Sequence, residues 1–359
     1  MANRDGFLRT TGQILDRLWL TNNGPVVQEL ERRVAEYHQV KHCVAMSSGT
    51  LGLEIAIRAL QLEGEVILPS HTYVATAHAL HWHGLTPVFA DIDPLSHNLD
   101  PESVRRLITE RTSAIIGVHL WGRMAPVEAL QRLAERHDLK LIYDAAHAFG
   151  CSHQGKRVGN FGDCEVLSFH ATKFFHTLEG GAVLTNQDKL ADQLKLMRNF
   201  GFAGVDQVVC AGTNGKMNEI SAAMGLANLE ALETLLAHNR QVYSAYREAL
   251  GDVPGIKLLM MDESQDSNYQ YVVLETEADC KLGRDEIIKA LHAENILARR
   301  YFWPGCHRMM PYRELFPEAE RNLKHTEVVT ERIIVMPAGF AVTPDMVPGI
   351  AAVLRTLLV

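Results

Sequence analysis

The chain has 359 residues, a net charge of −8 at pH 7, 47% hydrophobic residues and 22% charged residues. These are globular values at a length beyond the usual single domain, so a larger domain over residues 1–240 and a smaller one over 241–359 are expected. The negative balance disfavours a nucleic-acid partner, and no apolar run approaches the length that crosses a bilayer.

The first residues, Met1 to Gly6, lack the apolar segment of a secretory signal. Six cysteines, at 43, 151, 164, 210, 280 and 306, form no CxxC pair, which argues against zinc or iron–sulfur ligation. They read as the reduced thiols of a cytoplasmic protein. Leu18 to Pro25 is turn-rich, and a helix is expected from Pro25 to about Tyr37 with Val26, Val27, Leu30 and Val34 on one face. Its Thr21-Asn22-Asn23-Gly24 entry is either a plain cap or a loop facing a ligand. A buried strand, His42 to Met46, runs into Ser47-Ser48-Gly49-Thr50 and an apolar helix, Leu51 to Leu60. Strand, small polar turn and helix make an anion site; the alternative is an N-cap with no ligand.

Alternation of strand and helix continues. Glu65 to Leu68 is a strand, and a helix runs from about Tyr73 to His83, placing the Tyr73 ring where it can stack on a flat ligand. His78, His81 and His83 do not share one helix face, so no metal site is expected of them. Strands follow at 88–90, 114–120 and 140–143, with a helix over 126–137, and Asp144-Ala145-Ala146-His147 ends the last strand. Near-continuous apolar strands separated by helices imply a parallel sheet covered on both faces, with ligands beyond the carboxyl ends of its strands. A carboxylate there, with no charged neighbour in sequence, needs a partner such as a pyridinium nitrogen.

Next come Val166 to Phe169, a connection, a Gly180-Gly181 pair and Ala182 to Thr185. Lys173 lies in that connection among Phe169, Phe174 and Phe175. Partial desolvation there lowers an ammonium pKa and makes Lys173 a candidate Schiff-base lysine; a surface lysine in a turn is the alternative. Residues 201–219 are glycine-rich and polar, an extended loop, and a helix from Ser221 to about His238 continues to Leu250 between the domains. A strand over 269–274, a helix over 284–294, a strand over 333–337 and a last helix to Leu358 suggest a small α+β domain.

TNNGPVVQELE (21–31), SSGT (47–50), PSHTYVAT (69–76), DIDP (91–94), VHLWGRM (118–124), DAAHAFG (144–150), SFHATKFFHTLEGG (168–181), GTNGKMNEISAAMG (212–225) and the WPGCH region (303–307) appear in that order. Together they resemble the DegT/DnrJ/EryC1/StrS sugar aminotransferases over nearly the whole length. The resemblance implies an α/β fold of pyridoxal-phosphate fold type I, aspartate aminotransferase-like, with a mostly parallel seven-stranded sheet and a small α+β C-terminal domain. It implies pyridoxal 5′-phosphate as cofactor, with Lys173 as its aldimine lysine, Asp144 facing the pyridine nitrogen, His147 near the ring hydroxyl and Tyr73 stacked on the ring. Gly49, Thr50 and Ser168 hold the phosphate in this reading. Asn214 reaches the phosphate of a neighbouring subunit, which makes a homodimer with shared sites. Thr21, Asn22, Lys216 and His307 are then the substrate-binding candidates.

The chain departs from the family where Gly215 and Lys216 replace an aromatic residue and an arginine, which keeps a charge but loses the bidentate fork. It also reads Pro304-Gly305-Cys306-His307 where many members read Pro-Leu-His. The HATKFF and EGGA wording is similar to the branch acting on dTDP-4-keto-6-deoxyglucose. The implied reaction moves an amino group from L-glutamate to C4 of a nucleotide-linked 4-keto-6-deoxy sugar, with C3 amination or a non-catalytic cofactor-binding regulator as alternatives. Dehydratases of the family carry histidine in place of the lysine, and Lys173 argues against that.

Overall fold

Seven strands make one sheet in the order β1-β7-β6-β5-β4-β2-β3, in a computed structural model that describes residues 3–359. They are β1 (His42–Met46), β2 (Glu65–Pro69), β3 (Thr86–Ala90), β4 (Thr112–Val118), β5 (Lys140–Asp144), β6 (Cys164–Ser168) and β7 (Gly181–Thr185). All neighbouring pairs are parallel except that β7 runs antiparallel to both β1 and β6. Nearly every strand residue is buried, as a sheet covered on both faces requires.

Register gathers the future site. Met46 at the end of β1 and Ser168 at the end of β6 both pair with Gly181, the first residue of β7. Val118 and Val166 both pair with Asp144, the last residue of β5. The segments that follow β1, β4, β5 and β6 therefore leave the sheet side by side.

Helices α1 (Arg4–Arg17), α2 (Pro25–His38), α3 (Gly49–Ala59), α4 (Val74–Trp82), α5 (Pro101–Leu107), α6 (Val127–His137), α7 (Asp188–Met197) and α8 (Glu219–Glu230) surround the sheet. Helix α3 starts where the Ser48 side chain accepts from the Leu51 N–H, and it buries Leu53, Ile55, Ala56 and Ile57. Each large apolar side chain so buried contributes about 1.5–3 kcal/mol. Helix α2 has proline at its first turn, and its Val26 and Val27 N–H groups donate to the buried carboxylate of Glu219 at 3.0 and 2.9 Å.

The expected helix over 221–250 is two helices. Helix α8 ends at Glu230 and α9 (Leu232–Leu250) leaves it at 67°. Their faces serve different cores: Ala222 and Ala223 pack with β1 and β7, whereas Val242, Tyr243 and Tyr246 pack under the C-terminal sheet. That sheet is antiparallel, with Val272–Thr276 between Ile256–Leu258 and Ile333–Met336. The loop expected over 201–219 contains a small hairpin, Phe202–Gly204 with Gln207–Val208. Among the described residues no single helix is long and apolar enough to cross a membrane.

Candidate active site

A cavity of about 330 Å³ opens beyond the carboxyl ends of the parallel strands. Gly49, Thr50, Tyr73, Asp144, His147, Ser168 and Lys173 all line it. Thus the residues marked along the sequence as cofactor candidates, Asn214 apart, share one space.

One wall is the start of α3. Ser48 accepts from the N–H of Leu51, and Gly49 and Thr50, the first residues of the helix, line the cavity together with Ser168. Unpaired N–H groups at a helix N-terminus attract an anion. The approach depends on missing side chains. A Cβ on Gly49 would sit 3.0 Å from that of Ser168, and a Cβ on Gly181 would sit 2.5 Å from the Gly49 nitrogen. Glycine at both positions lets the helix end rest directly on the β6–β7 edge.

Asp144 is buried on the floor. Thr76 donates its hydroxyl to Oδ2 at 2.8 Å and the Ala146 N–H donates to Oδ1 at 3.1 Å. Burial raises the carboxyl pKa above its ordinary value, against the pull of these two bonds and of the Lys173 charge. A buried carboxylate held so needs a cation to ionise fully. His147 is buried beside it. Its Nδ1 accepts from the Trp121 N–H at 3.3 Å, which puts the ring proton on Nε2. Burial, and then the Lys173 charge, push its pKa well below the usual imidazole range, so the ring is neutral.

Lys173 is half-buried, and its Nζ donates to the Tyr271 hydroxyl at 3.2 Å. The phenylalanines expected to desolvate it do something else. Phe175 stacks on Phe149 with ring centroids 4.0 Å apart, Phe169 meets Phe175 edge-on, and all three enter the buried cluster with Leu30 and Val34. The aromatic ring that the amine contacts is Tyr271, 5.8 Å from Nζ to centroid. Tyr271, Tyr301 and Phe302 also line the cavity.

The expected substrate-binding residues lie outside this cavity. His307 is buried. Ser70 accepts from the His307 N–H, so its hydroxyl donates to Nδ1 at 2.7 Å, and Nε2–H donates to Glu327 at 2.6 Å. Burial lowers the His307 pKa to about 4. With both nitrogens engaged, His307 is a buried brace of the 303–307 turn, where Gly305 takes φ 91°, and not a wall of the cavity. Asn22 and Lys216 line a second cavity of about 170 Å³ with Arg198, and Lys216 Nζ sits 4.5 Å over the Phe200 ring. Thr21 is exposed, its carbonyl accepting from Trp19 Nε1 at 2.7 Å. Asn214 is exposed and bridges Asn199. His78, which α4 carries together with His81, pairs through Nδ1 with the Tyr312 hydroxyl at 2.7 Å.

Sequence reasoning missed Thr76, Tyr271, Tyr301 and Phe302. Thr76 lies one turn beyond Tyr73 on α4, a spacing that could have flagged it. Tyr271 was read inside a strand that in fact starts at Val272.

Known proteins similar to this chain are numerous. A dTDP-4-amino-4,6-dideoxy-D-glucose transaminase from Shigella dysenteriae is 36% identical, over 96% of this chain and 94% of the relative. Another of the same name from Escherichia coli is 35% identical over 97% and 94%. The crystal structure of DesI in the presence of its TDP-sugar product superposes with a TM-score of 0.95 at 44% identity, covering 99% of this chain and 90% of that one. The sheet order, the C-terminal α+β unit and this likeness make the fold that of the pyridoxal-phosphate fold type I aminotransferases. With residues 3–355 matched, the chain belongs to the DegT/DnrJ/EryC1/StrS aminotransferase family.

Proposed function

We propose that this aminotransferase uses pyridoxal 5′-phosphate to transfer an amino group from L-glutamate to C4 of dTDP-4-keto-6-deoxyglucose or a closely related nucleotide-linked keto sugar. The observation that carries the reading is one cavity lined by a lysine amine, a buried carboxylate and the first turn of a helix, Gly49 and Thr50. The transaminases and DesI, to which the chain is similar, are named for a dTDP- or TDP-sugar.

The residues fit the cofactor. The Gly49 and Thr50 N–H groups, with the Thr50 and Ser168 hydroxyls, would hold its phosphate. Asp144 would hold its pyridine nitrogen as a cation, which also supplies the positive partner this buried carboxyl lacks. His147 would donate its Nε2–H to the ring oxygen, and the exposed Tyr73 ring would cover the ring face. When bound, pyridoxal phosphate supplies a carbonyl for amine exchange and a ring that takes up carbanion charge. Lys173 Nζ is then the group that moves a proton to and from the donor's α-carbon. Tyr271, Tyr301 and Phe302 line the same cavity as that amine.

The reading includes a homodimer. Phe200, Phe202, Val205, Val208 and Val209, in the hairpin segment before Asn214, are exposed, and Asn214 does not line its own chain's cavity. An apolar hairpin carrying an asparagine and Lys216 suits delivery into a second copy's site. Purified protein incubated with cofactor, L-glutamate and dTDP-4-keto-6-deoxyglucose tests the whole reading. A 4-amino dTDP sugar and 2-oxoglutarate are expected in equal amounts. Turnover only with a 3-keto nucleotide sugar would move the site of amination, and cofactor uptake without any turnover would refute the enzyme reading.

A further inference from the structure

The segment Asn268-Tyr269-Gln270-Tyr271 leads into the central strand of the C-terminal sheet, yet its polar side chains reach the catalytic loops. Asn268 Nδ2 donates to the carbonyls of His147 at 2.8 Å and Phe149 at 3.1 Å. Gln270 Oε1 accepts from the Phe174 N–H at 3.2 Å. Tyr271 accepts from Lys173 Nζ at 3.2 Å and is the amine's hydrogen-bond partner among the described residues. The Tyr271 ring also lies 4.4 Å from the His147 ring and 5.3 Å from that of Trp121, centroid to centroid. One short stretch thus grips the loop after β5 and the loop after β6 together.

We infer that Tyr271 is a positioning residue for Lys173, holding the amine on the cavity wall whenever it is free. A phenol accepts from an ammonium and donates to a neutral amine, so it can keep Nζ in place through both protonation states. The lysine stem is long and flexible, and without such a partner the amine would sample many positions when released. The ring's packing against His147 and Trp121 fixes the phenol itself, and Gln270 and Asn268 fix the backbone that carries it. The consequence for catalysis rests on the transaminase reading above; the contact does not.

Tyr271→Phe removes one oxygen and keeps the ring that packs on His147 and Trp121. Two measurements test the inference. Competitive labelling with acetic anhydride, without added cofactor, reads the reactivity of Lys173 as a curve against pH, with the other lysines as internal controls. Loss of the phenol that holds the amine is expected to change the curve of Lys173 alone, by about threefold or more in rate. With pyridoxal phosphate bound, the half-reaction with L-glutamate is expected to slow about tenfold or more, its pH profile altered, while cofactor affinity changes by less than about twofold. An unchanged labelling curve would overturn the contact, and a changed curve with an unslowed half-reaction would overturn the positioning role. If the wild type took up no cofactor, the transaminase reading would fall while the labelling curve still decided whether Tyr271 holds Lys173.

Discussion

Asp144→Asn separates the cost of burying a carboxylate from its use. In the protein without ligand, burial holds the Asp144 carboxyl above the usual carboxylate range, opposed by the Thr76 and Ala146 hydrogen bonds. A raised folded pKa means that the native state keeps a proton over a pH window in which the unfolded state has lost it. Stability therefore falls as pH rises through that window. The amide has nearly the same shape, can accept from the Ala146 N–H while its NH2 donates to the Thr76 hydroxyl, which can turn its proton to the Tyr73 carbonyl, and does not titrate. Cofactor-free Asp144→Asn should melt at a higher temperature than wild type at pH 8, with the difference closing as pH falls below the carboxylate range. With pyridoxal phosphate the order should reverse, because only the carboxylate pairs with a protonated ring nitrogen. Removing one preorganised electrostatic contact costs about 10²–10³ in kcat, or about 3–4 kcal/mol. Thermal melts with and without cofactor, beside the rate of the glutamate half-reaction, read both effects. A variant that keeps the wild-type half-reaction rate and shows no change in melting order would refute the role given to this carboxylate.

Two substitutions address the scaffold. Gly181→Ala puts a Cβ 2.5 Å from the Gly49 nitrogen and 2.7 Å from its Cα, so the α3 terminus must move off the sheet edge. Its cofactor dissociation constant should rise tenfold or more by the loss of about one charge-assisted hydrogen bond, read by fluorescence titration, with the far-ultraviolet dichroism unchanged. Glu219→Ala strips two buried N–H groups of α2 of their acceptor. Urea unfolding should show a loss of about 2–4 kcal/mol, and a loss below about 1 kcal/mol would mean that water replaces the carboxylate as acceptor.

Much of this architecture is legible along the chain because short apolar runs bounded by glycine, proline and small polar residues admit few readings. His42–Met46 and Lys140–Asp144 fall where the apolar pattern puts them, and the residues at their ends line the cavity. What the pattern hides is set by packing at a distance. Helix α1 buries only Gly6 and Ile14 and leaves Leu8 and Leu15 exposed, so no apolar stripe announces it. The break at Ala231 falls inside an alanine- and leucine-rich run with no proline or glycine within five residues of it, because two separate cores claim its two halves. Tyr271 reads locally as one more strand aromatic, and only the docking of the C-terminal sheet brings it to Lys173. His307 has the residue type of a sugar ligand, yet Ser70 and Glu327, remote in sequence, take both its nitrogens.

The claim on which the rest depends is that Lys173 is the amine that engages pyridoxal phosphate. The direct measurement is the visible absorbance spectrum of the purified protein with added cofactor, for wild type and Lys173→Ala, before and after L-glutamate and then the keto sugar. Wild type should show the band of a lysine-bound cofactor, lose it on adding glutamate and regain it with dTDP-4-keto-6-deoxyglucose, while Lys173→Ala shows no such band. A Lys173→Ala protein that still formed the lysine-bound species and turned over would contradict the account at its centre.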